Sequence, residues 1–379
     1  MEISSHYYAL LALCRIRGIK KEVAHKIAYA SQFVDDAKIN CLSSVDGFEI
    51  HNIATCHSYF KMRTYNFQAM LANTCAFHFI PGCEGETFTE KLICKENSSI
   101  VNQIIDEYIQ DEPEIFGMLM HIYADTFAHQ NFSGLLSKEN DIEDLESENM
   151  LIFQDGYKSF KGIKTAFLNK FGNLKIVSRF IKEKDLDDLI PAYGHGQAEH
   201  CPNIPYLKWS FKYSADRCDT GIISIQKVDN VDRFKRAFLN IKDKVDLYLS
   251  HQSDFNDSSI SGEDKEKMLK QFFGVLAKRE STPNKIKSWQ KFLIENKMLD
   301  NQQDKSILTY DETLWINQLI KDYEYGTNLH EKRKVDNVSL VEGYENSSWL
   351  KYSVGVKNYK ESLKQACLNQ GVDLHYKNY

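Results

Sequence analysis

The chain has little of what marks several common protein classes. Only 6 prolines and 18 glycines occur among 379 residues, which is unlike collagen-like or low-complexity sequences. No apolar run approaches the roughly 20 residues that a membrane-spanning helix needs. The formal net charge is -6, so the chain has no overall positive field that would attract nucleic acid or an anionic membrane. These absences leave an ordinary globular protein, with 42% hydrophobic and 26% charged residues.

Disulfide chemistry and a secretory signal are also not indicated. The 9 cysteines are odd in number and form no C-x-x-C pair, and the chain is long enough to bury a core without disulfide bonds. The first apolar run, YYALLALC, is short, and Arg15 and Arg17 follow it rather than precede it. A secretory signal has the opposite order. We therefore expect a reduced, cytoplasmic protein with no stable membrane insertion.

Several catalytic motifs are missing as well. The sequence contains no P-loop, no G-x-S-x-G, no H-E-x-x-H, no adjacent His-Asp pair and no glycine fingerprint for a dinucleotide. These absences disfavour nucleotide triphosphatases, serine hydrolases, the common zinc peptidases and dinucleotide-dependent enzymes.

Apolar residues recur mainly at helical spacing, and strict apolar/polar alternation is scarce. The clearest patterns cover residues 20–37 and 101–130, with a new helix expected at Pro113 because proline is tolerated in a first turn. Further helices are expected at 157–170, 173–183, 228–249, 263–278, 285–297, 310–322 and 358–369. The sequence therefore predicts an all-α, multi-helix bundle.

The pattern divides the chain into two predicted regions. Residues 1–250 form a helical metal-binding catalytic domain, and residues 264–379 form a C-terminal helical region of unknown role. The acidic stretch 137–149 is expected to be a solvated loop, and 251–264 a linker. The Lys-rich helices after the linker suit self-association or partner binding by helix packing.

The sharpest chemical signal is M-H-I-Y-A-D-T-F-A-H-Q-N-F-S-G at residues 120–134. His121, Asp125 and His129 are spaced i, i+4, i+8, so on a helix they share one face. Imidazole and carboxylate groups on one helix face are a usual way to present ligands to zinc. The alternatives are a polar helix face or a buried histidine held by Asp125.

A second signal lies at residues 191–202. His195 and Glu199 are again four residues apart, and Gly194 and Gly196 would allow close backbone approach. An exposed polar loop is an equal alternative for this segment.

The remaining candidates are scattered. His6 opens the first helix, Asp35 and Asp36 end the second, and His57 and His78 lie in or near apolar surroundings. Each histidine alone suits a satisfied core residue better than a ligand, and the vicinal aspartates also suit a solvated helix end.

Taken in chain order, these pieces resemble the family of zinc-dependent phospholipases C and single-strand-specific nucleases. The matching pieces are an early His, an Asp, a second His, H-x-x-x-D, a further His and H-x-x-x-E, over roughly residues 1–210. The chain is also similar to a bacterial branch that carries the same H-Y-Y, S-Q-x-V-D-D, F-H-F-x-P-G and H-x-x-x-D-T-x-A-H-Q-x-F-S-G pieces. The resemblance implies a helical fold that binds three zinc ions. The ligands it implies are His6, Asp35 or Asp36, His78 or His57, His121, Asp125, His129, His195 and Glu199.

Two departures from the family pattern make two ions an alternative to three. Three residues separate Asp125 from His129, whereas the family usually has five. Secreted members bind zinc through a processed N-terminal amine, whereas this chain starts Met1-Glu2.

The resemblance implies a zinc-dependent phosphoester hydrolase that acts on a phospholipid headgroup or a nucleotide. Asp125 would bridge metals, and Glu199 or the spare vicinal aspartate would serve as a base. The alternative is a non-catalytic helical interaction protein with a structural zinc or a core in which His and Asp satisfy each other.

Overall fold

Helices form most of the structure. The computed structural model describes residues 1–56, 66–148, 192–214, 225–257, 262–321, 323 and 328–375. The α-helices are α1 (Leu10–Arg17), α2 (Lys21–Asp36), α3 (Phe67–Ala69), α4 (Phe88–Lys91), α5 (Ser99–Tyr108), α6 (Pro113–Ala128), α7 (Asn230–His251), α8 (Gly262–Ala277), α9 (Thr282–Glu295), α10 (Lys305–Leu308), α11 (Leu314–Leu319) and α12 (Ser348–Asn369). Two π-helices, Ser4–Ala9 and Met70–His78, join α1 and α3 respectively.

Helices α2 and α6 pack closely at the centre of the protein. At Gly117 of α6, an added Cβ would lie 2.2 Å from the main-chain oxygen of Ile27 in α2. Only glycine permits this approach, which brings the C-terminal half of α6 beside the end of α2.

Two small sheets accompany the helices. The strands are β1 (Cys41–Ser44), β2 (Glu49–His51), β3 (Ile142–Glu148), β4 (Lys208–Tyr213), β5 (Gln226–Asp229) and β6 (Lys334–Val338). One sheet has the order β2-β1-β6, in which β1 is antiparallel to β2 and parallel to β6. The other, β3-β4-β5, is antiparallel throughout.

The prediction of an all-α, multi-helix bundle is therefore wrong, because the fold mixes helices with two three-stranded sheets. The error has an identifiable cause in β3, whose sequence IEDLESE lies within the predicted acidic loop at 137–149. Most of its side chains are exposed, so its stability comes from backbone pairing with β4 rather than from alternating burial.

The individual helix predictions fare better. Residues 20–37, 228–249, 263–278 and 285–297 are confirmed as helical to within a few residues at each end, and a helix does begin at Pro113. The predicted helix 310–322 is replaced by the short α11, and α12 starts ten residues before the predicted 358. The predicted helices 157–170 and 173–183 lie outside the described residues.

The C-terminal elements share one hydrophobic core with the first helices. Tyr7 Oη donates to the carbonyl of Ile307 at 2.7 Å, and Tyr29 Oη donates to that of Asp311 at 2.8 Å. The backbone N–H of Asp257, within the predicted linker, donates to the carbonyl of Gly18 at 2.6 Å. The division into regions 1–250 and 264–379 stays a prediction. Among the described helices, none is both long and apolar enough to cross a bilayer.

Candidate metal centre

Asp125, in the last turn of α6, lies at the centre of a buried group of histidines. Its Oδ1 is 3.2 Å from His6 Nε2. Its Oδ2 is 3.3 Å from His121 Nε2, 3.4 Å from His129 Nδ1 and 3.6 Å from His78 Nδ1. All five side chains are almost completely buried. The two oxygens of one carboxylate therefore face two different sets of imidazoles.

The end of α2 adds one more carboxylate. Asp35 Oδ1 lies 3.7 Å from His78 Nδ1 and 3.9 Å from His121 Nε2. With 29% of its side chain exposed, Asp35 is the member of the group that reaches solvent. Asp36 points elsewhere, and its Oδ2 accepts a hydrogen bond from Tyr310 Oη at 2.8 Å.

Both π-helices end in, or contain, a histidine of this group. His6 lies within Ser4–Ala9, and its ring stacks on that of His121 with centroids 3.8 Å apart. His78 is the last residue of Met70–His78. A π-helix is rare and is frequently found at functional sites, because its wider turn changes the direction of the side chains that follow.

The α-amino group of Met1 also reaches the centre. Its nitrogen is 2.6 Å from Asp125 Oδ1, and both groups are buried. The Met1 nitrogen is thus hydrogen-bonded to the carboxylate oxygen that also faces His6.

Two observations make the donor set suitable for a divalent metal. Ligand atoms of His6, His121 and Asp125 lie within 4.8 Å of one another, as do those of Asp35, His78 and His121. In the described part of the chain, both nitrogens of His6, Nδ1 of His121 and Oδ2 of Asp125 are buried without a hydrogen bond. Buried polar atoms normally have partners, so these atoms are well placed to bind an ion.

The protonation of His6 and Asp125 also suits metal binding. Burial lowers the pKa of His6 well below 6.5, so its imidazole is neutral near pH 7. Burial alone would raise the pKa of Asp125, but His129, the Met1 amine and His121 hold it well below 3.8. A neutral imidazole at His6 and an ionised carboxylate at Asp125 are the forms that bind metals.

His129 and His195 form a neighbouring pair. Their ring centroids are 4.8 Å apart, and Asn203 lies between them, 3.0 Å from His129 Nε2 and 3.4 Å from His195 Nε2. His129 Nδ1 is also 2.7 Å from the carbonyl oxygen of His78. His129 follows the last residue of α6 rather than lying inside the helix. Its contacts with Asn203 and His78 favour a supporting role for this side chain.

One family model, described as a family of unknown function, matches residues 1–367. The chain belongs to the DUF6765 family. No curated protein and no solved structure matches it. Membership covers all the residues of the centre described above, and it assigns no activity to them.

A main-chain segment that ends at Cys56 orients His78. His78 Nε2 lies 3.1 Å from the carbonyl oxygen of Thr55, which leaves Nδ1 facing Asp35 and Asp125. The Thr55 hydroxyl donates to the carbonyl of Val34 at 2.7 Å, next to Asp35. Thr55 therefore connects two elements of the centre.

Helix α12 supports this segment from the C-terminal region. Tyr352 Oη lies 3.2 Å from the Thr55 hydroxyl. Lys360 Nζ donates to the carbonyls of Asn52 and Ala54, each at 3.1 Å. Lys360 is only 5% exposed, and burial lowers its pKa to about 7.

The structure brings together His6, Asp35, His78, His121, Asp125 and, at the edge of the centre, His129. Of the two vicinal aspartates, it places Asp35 in the centre and Asp36 beside Tyr310. His57 lies outside the described residues. At the second motif, His195 Nδ1 contacts the main-chain oxygen of Glu199 at 2.9 Å, and Glu199 belongs to neither His/Asp group of the described residues.

Sequence reasoning set the Met1 amine aside as a departure from the family pattern, and it missed Thr55, Asn203 and Lys360. These three residues have no local signal, since each acts through a main-chain group, an amide or a contact far along the chain. The DUF6765 match likewise names no residue that would have identified them.

Proposed function

We propose that this protein is a cytoplasmic metal-dependent phosphoester hydrolase, with zinc bound at the centre around Asp125. One observation carries the proposal: a buried carboxylate whose two oxygens face separate histidines, two of which, His6 and His121, have nitrogens without hydrogen bonds. This arrangement suits a carboxylate that bridges two cations.

Two ions fit the donor set better than one. His6 lies on the Oδ1 side of Asp125, whereas His78 and Asp35 lie on the Oδ2 side. His121 belongs both to the group with His6 and Asp125 and to the group with Asp35 and His78. Because a single imidazole nitrogen binds one ion, His121 Nε2 would bind only one of the two ions. His129 and His195 would bind a third ion only if each replaced its contact with Asn203 by a bond to that ion.

The residues of the chain would have distinct tasks. Zinc, when bound, lowers the pKa of water to about 7 and stabilises the negative charge that develops in phosphoryl transfer. Asp125 would fix the separation of the ions, and Thr55 would hold His78 in the tautomer whose Nδ1 faces them. Asp35, the accessible member, would border the face on which substrate approaches.

The proposed substrates are phosphate esters with a compact head, namely a phospholipid headgroup or a nucleotide. The resemblance in the sequence motifs supports this class. The net charge of -6 favours a small ester over a polyanionic nucleic acid.

Metal content is the first test. We would measure zinc in the protein purified without a tag at Met1, because the Met1 nitrogen lies 2.6 Å from Asp125 Oδ1. We expect two zinc ions per chain, lost in the double variant His121→Ala/Asp125→Ala. A metal content below one per chain in the folded protein would refute the proposal.

Activity is the second test. The zinc-loaded protein should hydrolyse bis(p-nitrophenyl) phosphate, and Asp125→Asn should abolish the reaction while leaving the helical circular dichroism unchanged. One tightly held zinc with no hydrolysis of model diesters, phospholipids or nucleotides would instead support the alternative function, a non-catalytic interaction protein with a structural zinc.

A further inference from the structure

Two cysteines lie in contact at a place distinct from the metal centre. Cys83 follows the π-helix that ends at His78, and Cys367 lies in the last turn of α12. Their sulfur atoms are 3.8 Å apart although the residues are 284 positions apart in sequence. Cys367 is fully buried and Cys83 is partly exposed.

The surroundings of Cys83 favour a reactive thiol. A hydrogen bond with Cys367 and the nearby ammonium of Lys91 lower the pKa of Cys83 against the effect of burial. The thiolate is the form that attacks oxidants, and low-pKa, accessible cysteines next to a second thiol are typical redox-sensitive sites. Cys367 has the opposite character, because contact with Cys83 and burial raise its pKa.

The backbone at Cys83 adds an independent observation. Its φ is +57°, which is uncommon for a residue other than glycine, asparagine or aspartate. Hydrogen bonds on both sides maintain this conformation, from Gly82 N to the carbonyl of Ile93 and from Cys83 N to that of Lys91, each 2.9 Å. The loop thus presents its thiol to α12 in a fixed position.

We propose that Cys83 and Cys367 form a peroxide-sensitive thiol pair, in which Cys83 reacts with the peroxide and Cys367 resolves the product into a disulfide. In the first step the Cys83 thiolate attacks one peroxide oxygen, the O–O bond breaks, and Cys83 sulfenic acid and an alcohol or water form. In the second step the Cys367 sulfur attacks the Cys83 sulfur and displaces hydroxide, which leaves as water after taking the Cys367 proton. Two thiols and one peroxide thus give one disulfide, one alcohol or water and one further water.

The geometry requires only a small movement. A disulfide bond is about 2.05 Å long, so the sulfurs must approach by about 1.8 Å from their separation of 3.8 Å. The bond would join the loop after His78 to α12, the helix that also supports Thr55. Because it closes a very long loop, the oxidised protein should unfold at a higher temperature than the reduced one.

The test uses the full-length protein, reduced, desalted and treated with hydrogen peroxide at a few equivalents. After remaining thiols are alkylated, non-reducing digestion and mass spectrometry should show a linked Cys83–Cys367 peptide, with two thiols lost per chain and recovered with dithiothreitol. Cys83→Ser and Cys367→Ser should each remove this peptide. The control Cys41→Ser changes another partly buried thiol and should retain it.

A second measurement separates the two roles. In Cys367→Ser, Cys83 should accumulate as sulfenic acid that dimedone labels, whereas Cys83→Ser should show no dimedone labelling of Cys367. Labelling of Cys83 no greater than that of Cys41, or oxidation of wild-type Cys83 to sulfinic acid without a linked peptide, would overturn the proposal. None of these readouts depends on metal binding, so the result is independent of the proposed function.

Discussion

Replacing Asp125 by Asn should uncouple zinc binding from folding. The change keeps the shape of the side chain and removes the charge that faces His6 on one side and His78 and His121 on the other. Substitutions of residues that only support a metal ligand cost about 10–100-fold in affinity. Loss of a carboxylate that contacts the ion should cost at least about 100-fold.

This loss converts into a thermal shift. With free zinc at about 100 times the dissociation constant, one site stabilises the native protein by about 2.7 kcal/mol. A 100-fold weaker site contributes RT ln 2, or about 0.4 kcal/mol, at the same zinc concentration. For 379 residues the unfolding entropy is about 0.8 kcal/mol/K, so the zinc-induced rise in Tm should fall from about 3 °C to about 0.5 °C per site.

Differential scanning fluorimetry with and without zinc measures this shift, and elemental mass spectrometry gives the number of ions. Glu114→Gln is the matched control, because Glu114 is a fully buried carboxylate on the same helix, is bonded to Ser348 and lies away from the histidines. It should lower Tm but keep the full zinc response. An equal zinc response in Asp125→Asn and wild type would refute the reasoning.

Three further outcomes are expected. Gly117→Ala places a methyl group 2.2 Å from the Ile27 oxygen and should destabilise the protein by about 1–3 kcal/mol in urea unfolding, whereas Gly274→Ala on α8, with open space around it, should be neutral or stabilising. Thr55→Val should weaken zinc affinity about 10–100-fold in a competition titration, and Thr55→Ser should restore it; equal affinities would exclude the supporting role. Burial lowers the pKa of Lys360 to about 7 in the folded protein, whereas its value in the unfolded chain is about 10.4. Between about pH 7 and 10.4 the unfolded state therefore binds more protons than the folded state, and the free energy of unfolding rises with pH. In urea unfolding from pH 7 to 10, the free energy of unfolding of the wild type should rise relative to that of Lys360→Met, with a slope approaching about 1.4 kcal/mol per pH unit. Equal pH dependence in the two proteins would contradict this prediction.

The parts of the fold that the sequence predicted are those set by local spacing. The apolar periodicity of α2 and α6 predicted both helices, and the i, i+4 spacing placed His121 and Asp125 on one face. Both residues lie in the centre, since a helix fixes the relative direction of side chains four positions apart.

The parts that could not be predicted depend on distant pairing. Strand β1 has four residues and pairs in parallel with β6, so that Cys41 lies opposite Lys334. No local pattern reports a partner so far along the chain. The π-helices that contain His6 and His78 are equally unpredictable, because their sequences carry ordinary helical signals. The choice between Asp35 and Asp36 required the position of Tyr310.

The support that α12 gives to the segment at Thr55 has a consequence for the timing of synthesis. Lys360 contacts Ala54 across 306 positions of the chain. At about 5–20 residues per second, roughly 15–60 s pass between the synthesis of these two residues. During that interval His6, Asp35 and His78 exist without the helix that completes their support. Stable metal binding at the proposed centre should therefore begin only after α12 has been synthesised. A nascent chain stalled before α12 should retain little zinc.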